Sequence, residues 1–186
     1  APSRVLTPWP AKCKSSLCVA RSRYTTTSPA TRRRKSMVLA LALPDRYPYV
    51  MLSATALPFV TSFIMGGKVM SARKKFNVPL PNLYAVPGVH DKADDFNRVQ
   101  RGHQNMFETM SSVMSMVLVA GLKYPVVAAS CAAAFCVGNC FYLTGYADSS
   151  KDVAGARYTH PLAILKPLGM AGSFFACVYA CYGMLK

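Results

Sequence analysis

The chain has 186 residues, of which 52% are hydrophobic and only 16% charged, too few charges to wet the surface of a soluble domain of this size. Its formal net charge of +15 invites a polyanionic partner, but nine of the 22 Lys and Arg fall within residues 1–36 with no acid among them, leaving the rest near +6. With no RNP-like aromatic motif, zinc finger or basic recognition helix, a nucleic-acid partner is excluded and a lipid bilayer takes its place.

Residues 1–36 are rich in Ser and Thr and end on the run Arg32-Arg33-Arg34-Lys35. That composition reads as an organelle transit peptide or as a solvated basic tail, set apart from a membrane domain over residues 37–186. Of the seven cysteines, Cys131, Cys136, Cys140, Cys177 and Cys181 lie in apolar stretches without Cys-x-x-Cys spacing. They read as small packing residues, and neither a disulfide framework nor a metal site is expected.

Four apolar stretches approach the roughly 20 helical residues that cross a hydrocarbon core of about 30 Å. The first runs from Tyr47 to Met70 with Pro58 as an expected kink, and the second from Phe96 to Leu122. The third follows Pro125 and runs to Tyr146; the fourth spans Pro161 to Leu185, is interrupted near Pro167, and offers Gly169, Ala171, Gly172 and Ser173 for close helix approach. The fold class is therefore all-α, an integral membrane four-helix bundle of up-down topology. The loops after helices one and three share a side, and their Arg73, Lys74, Lys75, Lys92, Lys151 and Arg157 place that side in the cytosol or an organelle matrix.

The entrance of the second helix is densely polar. Asn97, Arg101, Asn105, Glu108 and Ser112 fall on one stripe at 3.6 residues per turn, so they must face protein or a water-filled cavity. Glu108 is the only glutamate in the chain, and an unpaired carboxylate inside a membrane costs several kcal/mol, so it needs a partner such as Arg101. The bland alternative is an interhelical polar network without a ligand. Arg73-Lys74-Lys75 at the end of helix one serve otherwise as interfacial anchors, and Tyr142 and Tyr146 as aromatic-belt residues. Cations and hydroxyls together favour an anionic, polar ligand and an environment that lowers a thiol pKa from its usual value of about 8.5.

The segments Ala72-Arg73-Lys74-Lys75-Phe76, Phe96-Asn97, Val99-Gln100-Arg101 and His103-Gln104-Asn105 with Glu108, supported by Gly145-Tyr146, resemble the membrane-associated proteins in eicosanoid and glutathione metabolism. The likeness covers residues 47–186. It implies a homotrimer with glutathione, the co-substrate, bound between neighbouring subunits and a lipophilic second substrate arriving from the bilayer. It further implies that Arg101, Asn105 and Glu108 hold the glutathione peptide, that Arg73 meets a carboxylate, and that His103 faces the ligand. Tyr142 and Tyr146 would line the site from the adjacent chain, and Lys74 would stand at the hydrophobic-substrate side.

The sequence departs from the family pattern after Tyr146. The family's thiol-activating arginine is expected in the loop leading to helix four, and the chain there reads Ala147-Asp148-Ser149-Ser150-Lys151-Asp152-Val153-Ala154-Gly155-Ala156-Arg157. Arg157 is the expected catalytic cation and Lys151 the second choice, although a lysine does not replace an arginine fork. Thr109 stands where relatives often carry a tyrosine. The expected function is a membrane glutathione transferase or glutathione-dependent peroxidase acting on lipophilic electrophiles or lipid hydroperoxides. The altered loop motivates a second reading, a catalytically reduced accessory subunit of a larger organelle membrane complex. The basic leader implies a mitochondrion or plastid, and the resemblance an endoplasmic-reticulum or mitochondrial membrane.

Overall fold

A computed structural model describes residues 43–186, so the expectations for the basic segment 1–36 lie outside the described residues. Four long helices carry the chain: α1 (Tyr47–Lys75), α2 (Ala93–Gly121), α3 (Pro125–Tyr146) and, after the short α4 (Val153–Ala156) and a 3-10 turn at Pro161–Ile164, α5 (Leu165–Met184). There is no strand among the described residues. Three of the long segments, α1, α3 and Pro161–Met184, are apolar and long enough to cross a membrane. The fourth, α2, equals α1 at 29 residues but carries Asp94, Asp95, Arg98, Arg101 and, at its middle, Glu108.

The boundaries follow local chemistry. Helix α1 begins with Pro48 in its first turn, where a missing N–H has no intrahelical partner to lose. It runs on through Pro58 and ends five residues beyond Met70, because Arg73, Lys74 and Lys75 complement the negative end of the helix dipole. At about 1.5 Å per residue its 29 residues span about 43 Å, more than a hydrocarbon core of about 30 Å, so its basic last turn reaches the polar zone. Asp94 and Asp95 favour the positive start of α2, which therefore begins at Ala93 rather than Phe96. The interruption expected near Pro167 falls earlier, at the 3-10 turn. Pro167 itself sits in the first turn of α5, where proline is tolerated.

Contacts at the helix ends fix which ends meet. The Tyr47 hydroxyl donates to the Leu118 carbonyl at 3.1 Å, joining the start of α1 to the end of α2. Arg98 donates to the Tyr146 carbonyl at 3.1 Å, joining the start of α2 to the end of α3. Tyr124 stacks on Tyr179 with ring centres 5.7 Å apart, joining the start of α3 to the second half of α5.

Phe96, Met106, Val113 and Val117 of α2 recur at helical spacing and are fully buried with Phe135, Cys136 and Leu143 of α3 and Val50 and Met65 of α1. The α3–α5 seam brings backbone against backbone. A Cβ on Gly138 would stand 2.1 Å from the Lys166 nitrogen, and one on Gly169 would stand 2.5 Å from the Phe135 nitrogen. This is the small-residue packing by which helices associate where lipid removes the hydrophobic drive. Large apolar side chains face outward instead, Phe63 at 76% exposure and Phe175 at 67% among them, as a lipid-facing surface requires.

Candidate functional site

The segment between α1 and α2 is clamped onto the polar start of α2. Asn97 receives the Ala85 N–H at 2.8 Å and donates to the Ala85 carbonyl at 2.9 Å, a two-bond clamp that satisfies loop backbone. Arg73 donates to the Asn82 carbonyl at 2.6 Å and lies over the Phe96 ring at 5.2 Å. The Tyr84 hydroxyl reaches the Gln104 amide oxygen. Asn97 therefore serves the loop, although it shares the α2 stripe with Arg101.

One turn further, the Arg101 guanidinium donates to Glu108 Oε1 at 2.5 Å, with a longer contact of 3.5 Å to Oε2. Asn105 Nδ2 donates to the same carboxylate at 3.3 Å. Residues four and three apart along one face make this possible. The sole glutamate thus has its partner on its own helix, yet the side chains of Arg101 and Glu108 remain 46% and 45% exposed. An ion pair facing outward from a hydrophobic bundle has to meet another polar surface, a ligand or water.

Behind this pair stands Lys166 of α5, which the sequence reading passed over. It is 5% exposed, donates to Asn105 Oδ1, and lies 3.9 Å from the centre of the Tyr142 ring. Tyr142 packs on Tyr146 at 5.7 Å and on Tyr158 at 5.6 Å between ring centres. Arg157, just past α4, is half-buried beside Tyr142, and hydrogen bonding to that phenol holds its guanidinium above its ordinary pKa. Arg101, Asn105, Glu108, Tyr142, Tyr146 and Arg157 are thus linked within one protomer through α2, α3, α4 and α5.

A family model for MAPEG matches residues 51–185. The chain belongs to the MAPEG family. Membership brings membrane chemistry centred on glutathione or eicosanoids, with glutathione a substrate of the family.

In this MAPEG chain the other expected site residues lie apart from the Arg101 group. His103 is two positions from Arg101, about 200° around the helix, and so faces α1. With Arg73, Gln100 and Ser62 it lines a cavity of about 600 Å³, whose apolar walls include Phe63, Gly66 and Met70. His103 Nε2 and Gln100 Oε1 are both buried there without a hydrogen-bond partner. Two unsatisfied polar atoms at the edge of an apolar cavity under a guanidinium suit a molecule with a polar head and an apolar body. Lys74 is exposed in the last turn of α1 and belongs to neither group.

The loop after Tyr146 separates the two cations expected for thiol activation. Lys151 is exposed and 4.0 Å from Asp148, while its carbonyl receives Arg98 at 2.9 Å. Arg157 instead lies beside Tyr142 and Tyr158, its Nε donating to the Ala154 carbonyl at 3.4 Å and its guanidinium 5.9 Å from the centre of the Tyr158 ring, because Gly145 leaves room for the chain to return: a Cβ there would stand 2.3 Å from the Ala156 carbonyl oxygen. Among the described residues no three His, Cys, Asp or Glu side chains converge as a metal site would need.

Lys166 had a readable signal, a lone cation inside the apolar run Pro161–Met184. Gln100 and Arg98 had none, because their roles depend on which helix packs against which face of α2.

Proposed function

We propose that this MAPEG protein is a membrane-bound glutathione transferase or glutathione-dependent peroxidase for lipophilic substrates, nearest in kind to the third microsomal glutathione S-transferase. The observation that carries the reading is the outward-facing Arg101–Glu108 pair with Asn105, backed by Tyr142 and Arg157. Glutathione offers carboxylates for Arg101, an ammonium for Glu108, and amide groups for Asn105 and the tyrosines.

Four crossing helices in up-down order are supported by the contacts at the helix ends, and α2 would span with its charged face covered by a neighbouring copy or a ligand rather than lipid. A homotrimer accounts for the exposed pair, since a neighbouring copy would cover it and bring a second set of site residues. The compartment follows the leader and the family, a mitochondrial membrane being common to both.

Arg157 is the residue we assign to thiol activation, and its place beside the site tyrosines Tyr142 and Tyr158 supports it over Lys151, which lies 4.0 Å from Asp148. A guanidinium facing the sulfur favours the thiolate, which is the nucleophile. In conjugation the sulfur bonds to an electrophilic carbon, and the leaving group or a proton from water completes the product. In peroxide reduction the sulfur takes the terminal oxygen as the O–O bond breaks to an alcohol. A second glutathione then forms the disulfide and releases water. The cavity under Arg73 has the size and apolar walls for part of the lipophilic substrate.

The test is turnover of an aryl halide and of a fatty-acid hydroperoxide by the purified protein in detergent, with and without glutathione. Glutathione-dependent turnover of either supports the assignment. Folded protein that binds no glutathione contradicts it and leaves the accessory-subunit reading.

A further inference from the structure

A buried ammonium without a carboxylate partner is costly anywhere, and most costly in a helix that crosses a membrane. Lys166 is such a group: it is 5% exposed, and no acidic side chain among the described residues lies within ion-pair distance of it. Its backbone is held where α3 and α5 touch, opposite Gly138. The ammonium then has two neighbours, the face of Tyr142 at 3.9 Å and the Asn105 side-chain oxygen.

Those two contacts decide how Asn105 faces the site. An ammonium has three donors and no acceptor, so only the oxygen of the Asn105 amide can face it. A carboxylate only accepts, so only the nitrogen of the same amide can face Glu108, which it meets at 3.3 Å. The amide is therefore pinned between two opposite charges with its NH2 group turned to the binding face. Without Lys166 the amide keeps only its 3.3 Å contact to Glu108 and loses the second anchor that fixes its plane, so its NH2 group is no longer held at one angle to the binding face.

We propose that Lys166 is a positioning residue for the glutathione site, fixing the side-chain amide of Asn105 as a hydrogen-bond donor while its ammonium rests on Tyr142. This rests on the glutathione reading of the Arg101–Asn105–Glu108 face. Lys166 itself is too buried to touch the ligand, and its influence passes through Asn105 and Tyr142, one on each side of the α2–α3 seam.

The experiment is a double-mutant cycle on the full chain in detergent, measuring glutathione binding by equilibrium dialysis and glutathione KM and kcat for wild type, Lys166→Met, Asn105→Ala and the double variant. Lys166→Met is expected to raise the glutathione Kd and KM about tenfold with a smaller change in kcat, and the double variant to bind no worse than Asn105→Ala alone. If Lys166→Met does not fold, Lys166→Ala, which admits water beside Asn105, is read by the same criteria. Additive losses in the double variant, or lowered thermal stability with unchanged Kd, would overturn the proposal and leave Lys166 a strut of the bundle. A wild type that binds no glutathione would instead bring down the site reading on which it rests.

Discussion

Arg98 holds the backbone of Tyr146 from a different helix: its Nε donates to the Tyr146 carbonyl at 3.1 Å while its Nη2 donates to the Lys151 carbonyl at 2.9 Å. A single guanidinium thus caps the end of α3 and secures the first part of the loop that delivers Arg157. Helix ends leave carbonyls without intrahelical partners, and a cation is well suited to satisfy them. Arg98→Met is expected to loosen the loop, lowering kcat several-fold while the glutathione KM changes less, since Arg101, Asn105 and Glu108 stay in place. Equal effects on both constants, or none, would detach the loop from catalysis.

The Arg101–Glu108 pair is expected to matter for binding rather than for folding. Glu108→Gln and Arg101→Met each leave one charge without its partner. Each should raise the glutathione KM about tenfold, with thermal stability nearly unchanged because the pair is half exposed. Initial rates against glutathione concentration, alongside a thermal melt, check both halves of this expectation.

Gly138 bears on stability instead. A Cβ there would meet the Lys166 nitrogen at 2.1 Å, and backbone cannot step aside as a flexible side chain can. Gly138→Ala should cost about 1–3 kcal/mol through overpacking, seen as a lower melting temperature in detergent. The same substitution at Gly155, where nothing lies within 4 Å, should be mild by comparison.

The pH dependence of activity has a definite sign. The Tyr142 phenol raises the Arg157 guanidinium above its ordinary value, so Arg157 stays charged through neutrality and well above it. Bonds from Ser150 lower the Asp148 carboxyl, whose support of the loop is complete above the ordinary carboxylate range and is lost only as pH falls through its lowered value. Neither group titrates near pH 7, so neither accounts for a rate that rises with pH there, whereas ionisation of the glutathione thiol would produce one. Arg157→Ala should shift that rise to higher pH, and a rise that does not move would place the activating cation elsewhere.

Much of this architecture was legible in residue order. Pro125 and Tyr146 bound α3 as expected, and the spacing of Arg101, Asn105 and Glu108 announced the cluster, because helical periodicity alone puts them on one face. The same periodicity required Asn97 to face protein or water but could not say which, since it cannot register that the loop at Ala85 returns to claim that amide. The end of α1 was read too short because hydropathy falls at Arg73-Lys74-Lys75 although the helix does not. Lys166 and Gln100 owe their importance to neighbours 61 residues away in one case and to an apolar cavity in the other. Grouping His103 and Arg73 with Arg101 needed the rotation of α2 against α1, which only packing defines.

The most direct test of the central claim is the thiolate absorbance difference on mixing the purified protein with glutathione at neutral pH, for wild type and Arg157→Ala. A thiolate signal in the wild type that is lost in Arg157→Ala, with glutathione still bound, is the result this account predicts. A signal of equal size in both proteins would contradict the assignment of Arg157, and no signal from folded wild type with glutathione bound would contradict thiol activation itself.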